Sequence, residues 1–492
     1  MKKNIVIIWW WTSWWLTALY LSHKIDSKKH SIKLISSESL WTIWVWESTI
    51  PDIRSFISDL WITESELLAS TNGTIKMGIK FENWNPKKTY NHPFTWWLTS
   101  YSISNKSFSA WFTKYFPNLN YDKYADIWEK FFESECVFPS SNKSISYDYA
   151  YHLDANLLAQ LLKEKAVANG VEYIDSYIDW YNESNGFITF LKSWKKEYKC
   201  DIIFDCSWFN SKILSRNQSN RFVSYSDELL CDTALFWRSS GDEKLPCYTL
   251  SSAMSCWWRW RIPLKNMYWN WYVFSSKFQD IEDAKKEFSK ASGILIKDMR
   301  LISFNPWYNT CSWYKNSISI WLSAWFVEPL EATWIFFSTK QLRLLDKYVS
   351  NGSLLMSEAN SREYNTKLSN IFEEVKNFIV FHYFTSPKSD SDFWNYYKRI
   401  SNFSDSFKKI STLMKKRFPD SKFSESQMLF KSESWIRIMI WNNWTPDEVE
   451  KIDIDIRSKI LKIILLHQNK INWELKYIHK HREYLLHWIY NQ

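Results

Sequence analysis

The pattern of apolar and polar positions opens with a long apolar run. Residues 5 to 21 read IVIIWWWTSWWLTALYL after the polar Met1-Lys2-Lys3-Asn4, and SIKLISSES follows at 31 to 39. The run superficially resembles a secretory leader or short membrane anchor, but it falls short of a full span and no small-residue cleavage site follows it. Strand, turn, helix, strand accounts for it better, and that is the opening of a βαβ unit. Further on, apolar residues at 153, 157, 158, 161, 162 and 166 form a helical stripe that stops at Gly170. VEYIDSYI, GFITFLK and KCDIIFDC then read as strands, and residues 316 to 322 as a short strand leading to a helix from about 334. From about 366 the chain turns helical and charged, ending in an amphipathic stretch from Pro446 to about Leu486. The expectation is an α/β body over residues 1–365 and a mainly helical C-terminal region over 366–492, with no repeat or long linker between them.

Composition adds class and compartment. The 492 residues are 46% hydrophobic and 23% charged, which is globular rather than disordered. The formal charge of +9 arises from 62 basic and 53 acidic side chains. Basic pairs such as Lys87-Lys88 and Lys415-Lys416 are scattered, which fits a solvated surface and an anionic small molecule rather than a nucleic-acid track. Seven cysteines, odd in number and without a C-x-x-C pair, indicate reduced thiols in a cytoplasmic protein. His479 and His481, two apart on an expected helix, face different directions and read as solvated, so no metal site is expected.

The unusual feature is 34 tryptophans against 7 glycines in 492 residues, where glycine ordinarily takes about 7% of a chain. A chain of this size needs many backbone positions with positive φ or close approach, which glycine alone fills cheaply. The first turn shows the conflict. After Ile5-Val6-Ile7-Ile8, a dinucleotide-binding fold wants glycine at 9, 11 and 14, yet Trp9, Trp11 and Trp14 stand there. Those glycines turn the chain tightly, admit the pyrophosphate to the backbone and let the helix pack on the strand, and an indole does none of these.

With glycine in those places the stretch resembles the flavin-binding start of the tryptophan halogenase family, Trp15 being the family's own tryptophan. The resemblance continues in order. Trp44-Val45-Trp46-Glu47-Ser48-Thr49-Ile50-Pro51 is similar to G-V-G-E-[AS]-T-I-P, and Lys76-Met77-Gly78-Ile79-Lys80-Phe81 to the segment with the family's essential lysine. His92-Pro93-Phe94 resembles a substrate-facing strip; Asp205-Cys206-Ser207-Trp208 resembles D-C-S-G and Trp269-Asn270-Trp271-Tyr272 resembles G-N-G-Y. Two blocks are most specific: Trp257 to Pro263 matches G followed by W-x-W-x-I-P, and Trp321 to Ile335 matches G-L-S-[AS]-x-F-x-E-P-L-E-[AS]-T-G-I. In this reading Trp258 and Trp260 are genuine and Trp257 stands for glycine. A gene whose UGA codons mean glycine, translated with UGA as tryptophan, accounts for the pattern.

The resemblance implies an FAD-binding βαβ body, Rossmann-like and of the flavin-monooxygenase type, and a chemistry. Reduced FAD and oxygen, with chloride or bromide, yield hypohalous acid that reaches an aromatic substrate, tryptophan or another indole. Lys76 corresponds to the lysine that holds the oxidant and Glu331 to the carboxylate that orients it and takes the ring proton, both beside substrate. Thr333 and the backbone of Trp334 correspond to the halide site. Flavin contacts carry over to Trp9, Trp10, Trp11, Thr12, Ser13, Trp14, Ser37, Leu40, Ile43, Glu47, Ile178, Leu322 and Ile335. His92 and Phe94 correspond to indole-stacking residues. Trp258 and Trp260, in the motif that Ile262 and Pro263 complete, correspond to the tryptophans that keep substrate from the flavin. The chain departs from the family where Ser36 replaces the carboxylate that ends the second strand, the nearest being Glu38. A separate flavin reductase is implied, with neither nucleic acid nor membrane as partner; a homodimer stays open. The alternatives are a flavin monooxygenase on the same fold and, were every tryptophan literal, an inactive aromatic-rich binding protein.

Overall fold

The computed structural model describes residues 2–8, 12–37, 47–94, 102–103, 106–116, 121, 128–139, 148–194, 196–207, 221–241, 243–427, 429–447, 454–474 and 478–490. The chain divides into two compact units, each made of three separated stretches. One holds Met1–Gly73, Leu153–Tyr225 and Phe304–Phe372; the other holds Thr74–His152, Ser226–Ser303 and Glu373–Gln492.

The first unit is built on a six-stranded sheet in the order Glu172–Asp175, His30–Ser36, Lys3–Ile8, Ile202–Asp205, Ser317–Ser319, Trp313–Tyr314. The first four pairings are parallel and the last is antiparallel. Ile5, Val6, Ile7 and Ile8 are buried, as are all four residues of Ile202–Asp205. Continuous apolar strands of this kind belong to the middle of a parallel sheet covered on both faces. The apolar run at the start of the chain is therefore a central strand followed by the helix Thr12–Lys24, which crosses to His30–Ser36. The helix Ala155–Ala168 lies beside it, Thr12 Oγ1 donating to the Ala155 carbonyl at 3.1 Å. Its start is fixed by Asp154, whose carboxylate accepts from the amides of Asn156 and Leu157.

The second unit carries a seven-stranded mixed sheet, ordered Arg300–Ser303, Thr233–Ser240, Met267–Phe274, Trp257–Leu264, Tyr248–Ala253, Gly78–Asn85, Lys88–Pro93. Gly78 lies where a Cβ would come within 2.5 Å of the His92 carbonyl oxygen, so only glycine lets the last two strands close. Helices Asp405–Lys416, Ser432–Trp441 and Ile454–Glu474 belong to this unit.

Two sequence expectations change. The stretch expected to be helical from Pro446 to about Leu486 is broken: after Ile454–Glu474 the chain forms the strand Ile478–Lys480, antiparallel to Cys136–Pro139, and then the short helix His481–Leu485. His481, expected to be solvated, is buried. Among the described residues no helix is long and apolar enough to cross a membrane.

Candidate active site

In the first unit the carboxyl ends of the central strands meet. Cys206 N donates to the Ile8 carbonyl at 3.2 Å, and Ile320 N to the Asp205 carbonyl at 2.9 Å. Ser323 Oγ also donates to Asp205 O, tying the turn Trp321–Ser323 to the strand end. In open α/β sheets this edge is where ligands bind. The helix Thr12–Lys24 starts here, and the Ser13 hydroxyl in its first turn is buried without a hydrogen-bond partner among the described residues. Trp14, also in that turn, is buried with its Nε1 lacking an acceptor among the described residues. Ser37, Leu322 and Ile335 are buried, and Ile178 sits in an apolar cluster with Val6, Ile8, Ile35 and Ile203. Trp9, Trp10, Trp11, Leu40 and Ile43 lie outside the described residues, as does Trp208; of Glu47 only the backbone, in the strand Glu47–Ser48, is described.

The same unit holds the segment from Glu328 to Ile335. Both Glu328 and Glu331 are buried, and burying carboxylates is costly enough to call for a reason. A turn closed by Ala332 N donating to Pro329 O leads to Thr333, which precedes the helix Trp334–Leu345. Thr333 makes no side-chain cap, and its buried hydroxyl has no partner among the described residues. A helix start with an unused donor suits an anion.

In the second unit Lys76 ends the strand Thr74–Lys76 and is fully buried, with Nζ 5.1 Å from the centre of the Phe94 ring. Phe94 is held by its amide, which donates to the Met77 carbonyl at 3.0 Å. His92 is placed by the pairing Ile79↔His92 and packs 6.0 Å from Trp441, edge to face, with Ser434 Oγ 3.3 Å from its Nε2. Lys76, His92 and Phe94 thus lie along one pair of neighbouring segments. Trp258 and Trp260, two apart on one strand, stack with centroids 5.7 Å apart and planes within 9°. Ile262 is buried on the same strand, and the Pro263 carbonyl accepts from Thr74 Oγ1 at 2.8 Å.

Sequence reasoning missed what holds the lysine strand. His481 Nε2 accepts from the Ile75 amide at 3.0 Å, so its Nδ1 carries the proton and donates to Leu245 O at 3.1 Å. Burial lowers the His481 pKa to about 4, keeping the ring neutral and able to accept. On the other side, Thr74 Oγ1 gives its proton to Pro263 and so accepts from His152 Nδ1 at 3.1 Å, while His152 Nε2 meets Thr249 Oγ1 at 2.9 Å. Burial, and the neighbouring Lys76 charge, push the His152 pKa well below its ordinary value. Nothing local in the sequence signals either histidine, because their partners are distant and largely backbone.

The family model for tryptophan halogenases matches residues 4–455. The chain belongs to the tryptophan halogenase family. Tryptophan 6-halogenase ThaL of Streptomyces albogriseolus is 27% identical over 428 residues, covering 81% of this chain and 79% of its own. Tryptophan 7-halogenase RebH of Lentzea aerocolonigenes is likewise 27% identical over 428 residues, with 81% and 79% covered. In fold, the chain is similar to a tryptophan halogenase from Shewanella frigidimarina, with TM-score 0.90, 21% identity, and 100% of this chain and 98% of that one covered. Tryptophan 6-halogenase SttH of Streptomyces toxytricini gives TM-score 0.88 at 23% identity, covering 99% of each chain. The family is one of flavin-dependent oxidoreductases, and FAD is the cofactor it implies.

The halogenase scaffold answers to a flavin in its βαβ opening and in the Ser13 hydroxyl, which has no partner among the described residues. The side chains that stand at its glycine positions do not. Trp14 fills the first turn of the helix that would face the pyrophosphate, and Trp321 holds φ at 64°, where an indole-bearing residue is strained. With tryptophan at these positions, the residues do not fit the flavin.

Proposed function

We propose that this halogenase places a halogen on an aromatic ring, tryptophan or another indole, by positioning a hypohalous oxidant on Lys76. The observation that carries the reading is a lysine fully buried against the Phe94 ring, in a strip that also holds His92. An ammonium there donates hydrogen bonds to the oxidant in surroundings poor in water, where such bonds count for more. His92 and Phe94 offer faces for an electron-rich ring. Glu331 orients the oxidant and accepts the proton lost by the ring, a general-base task. Thr333, with the amide of Trp334, is the halide site, for chloride or bromide, and its unused hydroxyl supports that role. Trp258, Trp260, Ile262 and Pro263 form the wall that keeps substrate from direct oxygenation. Flavin contacts are assigned to residues 9–14, Ser37, Leu40, Ile43, Glu47, Ile178, Leu322 and Ile335. The enzyme is cytoplasmic, and a separate reductase supplies reduced FAD.

The test uses the chain with glycine at 9, 11, 14, 208, 257, 321 and 334, a flavin reductase, halide and a panel of indoles. Halogenated product is expected, with Lys76→Ala losing it by at least about 100-fold while flavin oxidation continues. A hydroxylated product that forms equally well without halide would establish the monooxygenase instead.

A further inference from the structure

Two kinds of mark separate some tryptophans of this chain from the rest, and neither depends on a motif. The first is backbone. Of the ten described residues with positive φ other than glycine, five are asparagines, three are Glu135, Lys315 and Ala332, and two are tryptophans, Trp61 at 58° and Trp321 at 64°. Asparagine tolerates this region, whereas an indole-bearing residue there is a genuine outlier. Trp61 sits in a recurring helix ending. After Asp52–Asp59 and the cap Leu60, the Trp61 amide donates to Ser58 O and the Ile62 amide to Ile57 O. That is the Schellman arrangement, which wants glycine at the left-handed position. The same pair of bonds recurs among the described residues: Gly170 at 87° closes Ala155–Ala168, with Gly170 N on Val167 O and Val171 N on Ala166 O. Asn443 at 57° closes Ser432–Trp441 with the equivalent pair onto Ile440 and Met439. Glycine, asparagine and tryptophan hold one and the same position, and only the last is foreign to it.

The second mark is overlap. The Trp257 and Tyr272 ring centroids are 3.0 Å apart at 62°, and those of Trp325 and Phe337 are 3.8 Å apart at 47°. Inclined aromatic rings need about 4.5–7 Å, so each pair occupies space meant for one ring. Trp257 Nε1 does donate to Ser255 Oγ, but that bond does not undo the overlap. An unused donor is no such mark: Trp325 Nε1 lacks an acceptor among the described residues, but so does that of Trp258, a tryptophan the motif keeps. Other tryptophans behave as tryptophans should. Trp84 donates to Ser251 Oγ, Trp394 to Met254 O and Trp435 to Phe430 O, all of them fully buried. Trp334 bears neither mark; it is helical, and its indole donates to the Val327 carbonyl at 2.8 Å.

We infer that the chain was shaped around glycine at 61, 257, 321 and 325, and that the working protein carries glycine there. Trp61 and Trp325 extend the substitution beyond the positions that the family motifs mark, so the misread residue follows a codon and not a site. The inference stands whether or not Lys76 handles the oxidant, because it concerns backbone and packing in both units.

Two measurements test it. The gene's codons at 61, 257, 321 and 325 are expected to be UGA, with UGG at 84, 394 and 435; UGG at the first four overturns the inference. Independently, Trp61→Gly and Trp321→Gly in the printed chain are expected to raise the folded-to-unfolded ratio roughly tenfold each by relieving a left-handed residue. Trp84→Gly, a large-to-small change in a core, is expected to lower it by at least about 100-fold. A fall in all three variants would overturn the inference. If the printed chain yields no folded protein, recovery of folded protein by glycine at the four positions, but not at 84, 394 and 435, supports it, and failure to recover any counts against it.

Discussion

At the scale of residues, His481 shows how a buried imidazole becomes structural. Its Nε2 holds the Ile75 amide, one residue before Lys76, and its Nδ1–H holds Leu245 O. Its pKa, about 4 through burial, lies below the unfolded value of about 6.5, so protonation favours the unfolded chain. The contribution is complete above pH 6.5 or so and is lost as pH falls through about 4, with a slope of up to about 1.4 kcal/mol per unit from this group. His481→Leu is expected to cost about 1–3 kcal/mol at neutral pH by leaving an amide and a carbonyl unpaired, while His481→Gln keeps most of the stability and flattens the acid limb. Urea midpoints from pH 7 down to 4.5 check both; an unchanged acid limb in His481→Gln would refute the assignment. This residue was illegible in the sequence because its partner lies 406 positions away and is backbone. Lys76 was legible only through its motif, since nothing in its neighbours' hydropathy distinguishes it from a surface lysine.

At the scale of elements, legibility followed periodicity. The stripe ending at Gly170 gave a helix because an Asp cap and a glycine stop bracket one continuous amphipathic run. The stretch after Pro446 misled because a strand of three residues, Ile478–Lys480, leaves too little alternation to stand out beside helical neighbours. What binds helix to loop is harder still to read. Lys376 Nζ lies 2.8 Å from Glu228 Oε1 and from Ser404 Oγ, and Glu228 Oε2 accepts from the Ser404 amide at 3.1 Å. Both charged residues are buried, so this cluster joins the helix Glu358–Thr385 to the start of Asp405–Lys416. Removing Lys376 leaves the buried Glu228 charge without its cation, whereas without Glu228 the ammonium still has Glu373 Oε2 at 3.2 Å. Lys376→Met is expected to cost about 3–5 kcal/mol, and Lys376→Met with Glu228→Gln distinctly less than the two single changes summed. A double-mutant cycle from denaturant melts measures the difference, and additive losses would mean that the pair is not coupled.

At the scale of the whole molecule, the α/β class and the opening βαβ unit were readable, but the interleaving of two units was not. Each unit draws on three separate stretches, and hydropathy cannot say which strands pair across such gaps. The tryptophans themselves blurred the reading, since indoles at 9, 10, 11 and 14 joined a strand to a helix in one apolar run. If they replace glycine one codon at a time, the damage should be a sum of local strains. Trp61 and Trp257 belong to different units and carry different strains, a left-handed backbone at a helix end and a ring overlap with Tyr272. The gains in stability from Trp61→Gly and Trp257→Gly should therefore add within about 0.5 kcal/mol. Trp321 and Trp325 flank a single turn, in which the Ala324 amide donates to Trp321 O. Relieving one lets the backbone shift for the other, so their double change should depart from the sum by about 0.5 kcal/mol or more. Urea melts of the four single and two double variants separate these cases. Additivity at 321 and 325 together with coupling between 61 and 257 would mean that the strain is spread through the fold and does not sit at the glycine positions.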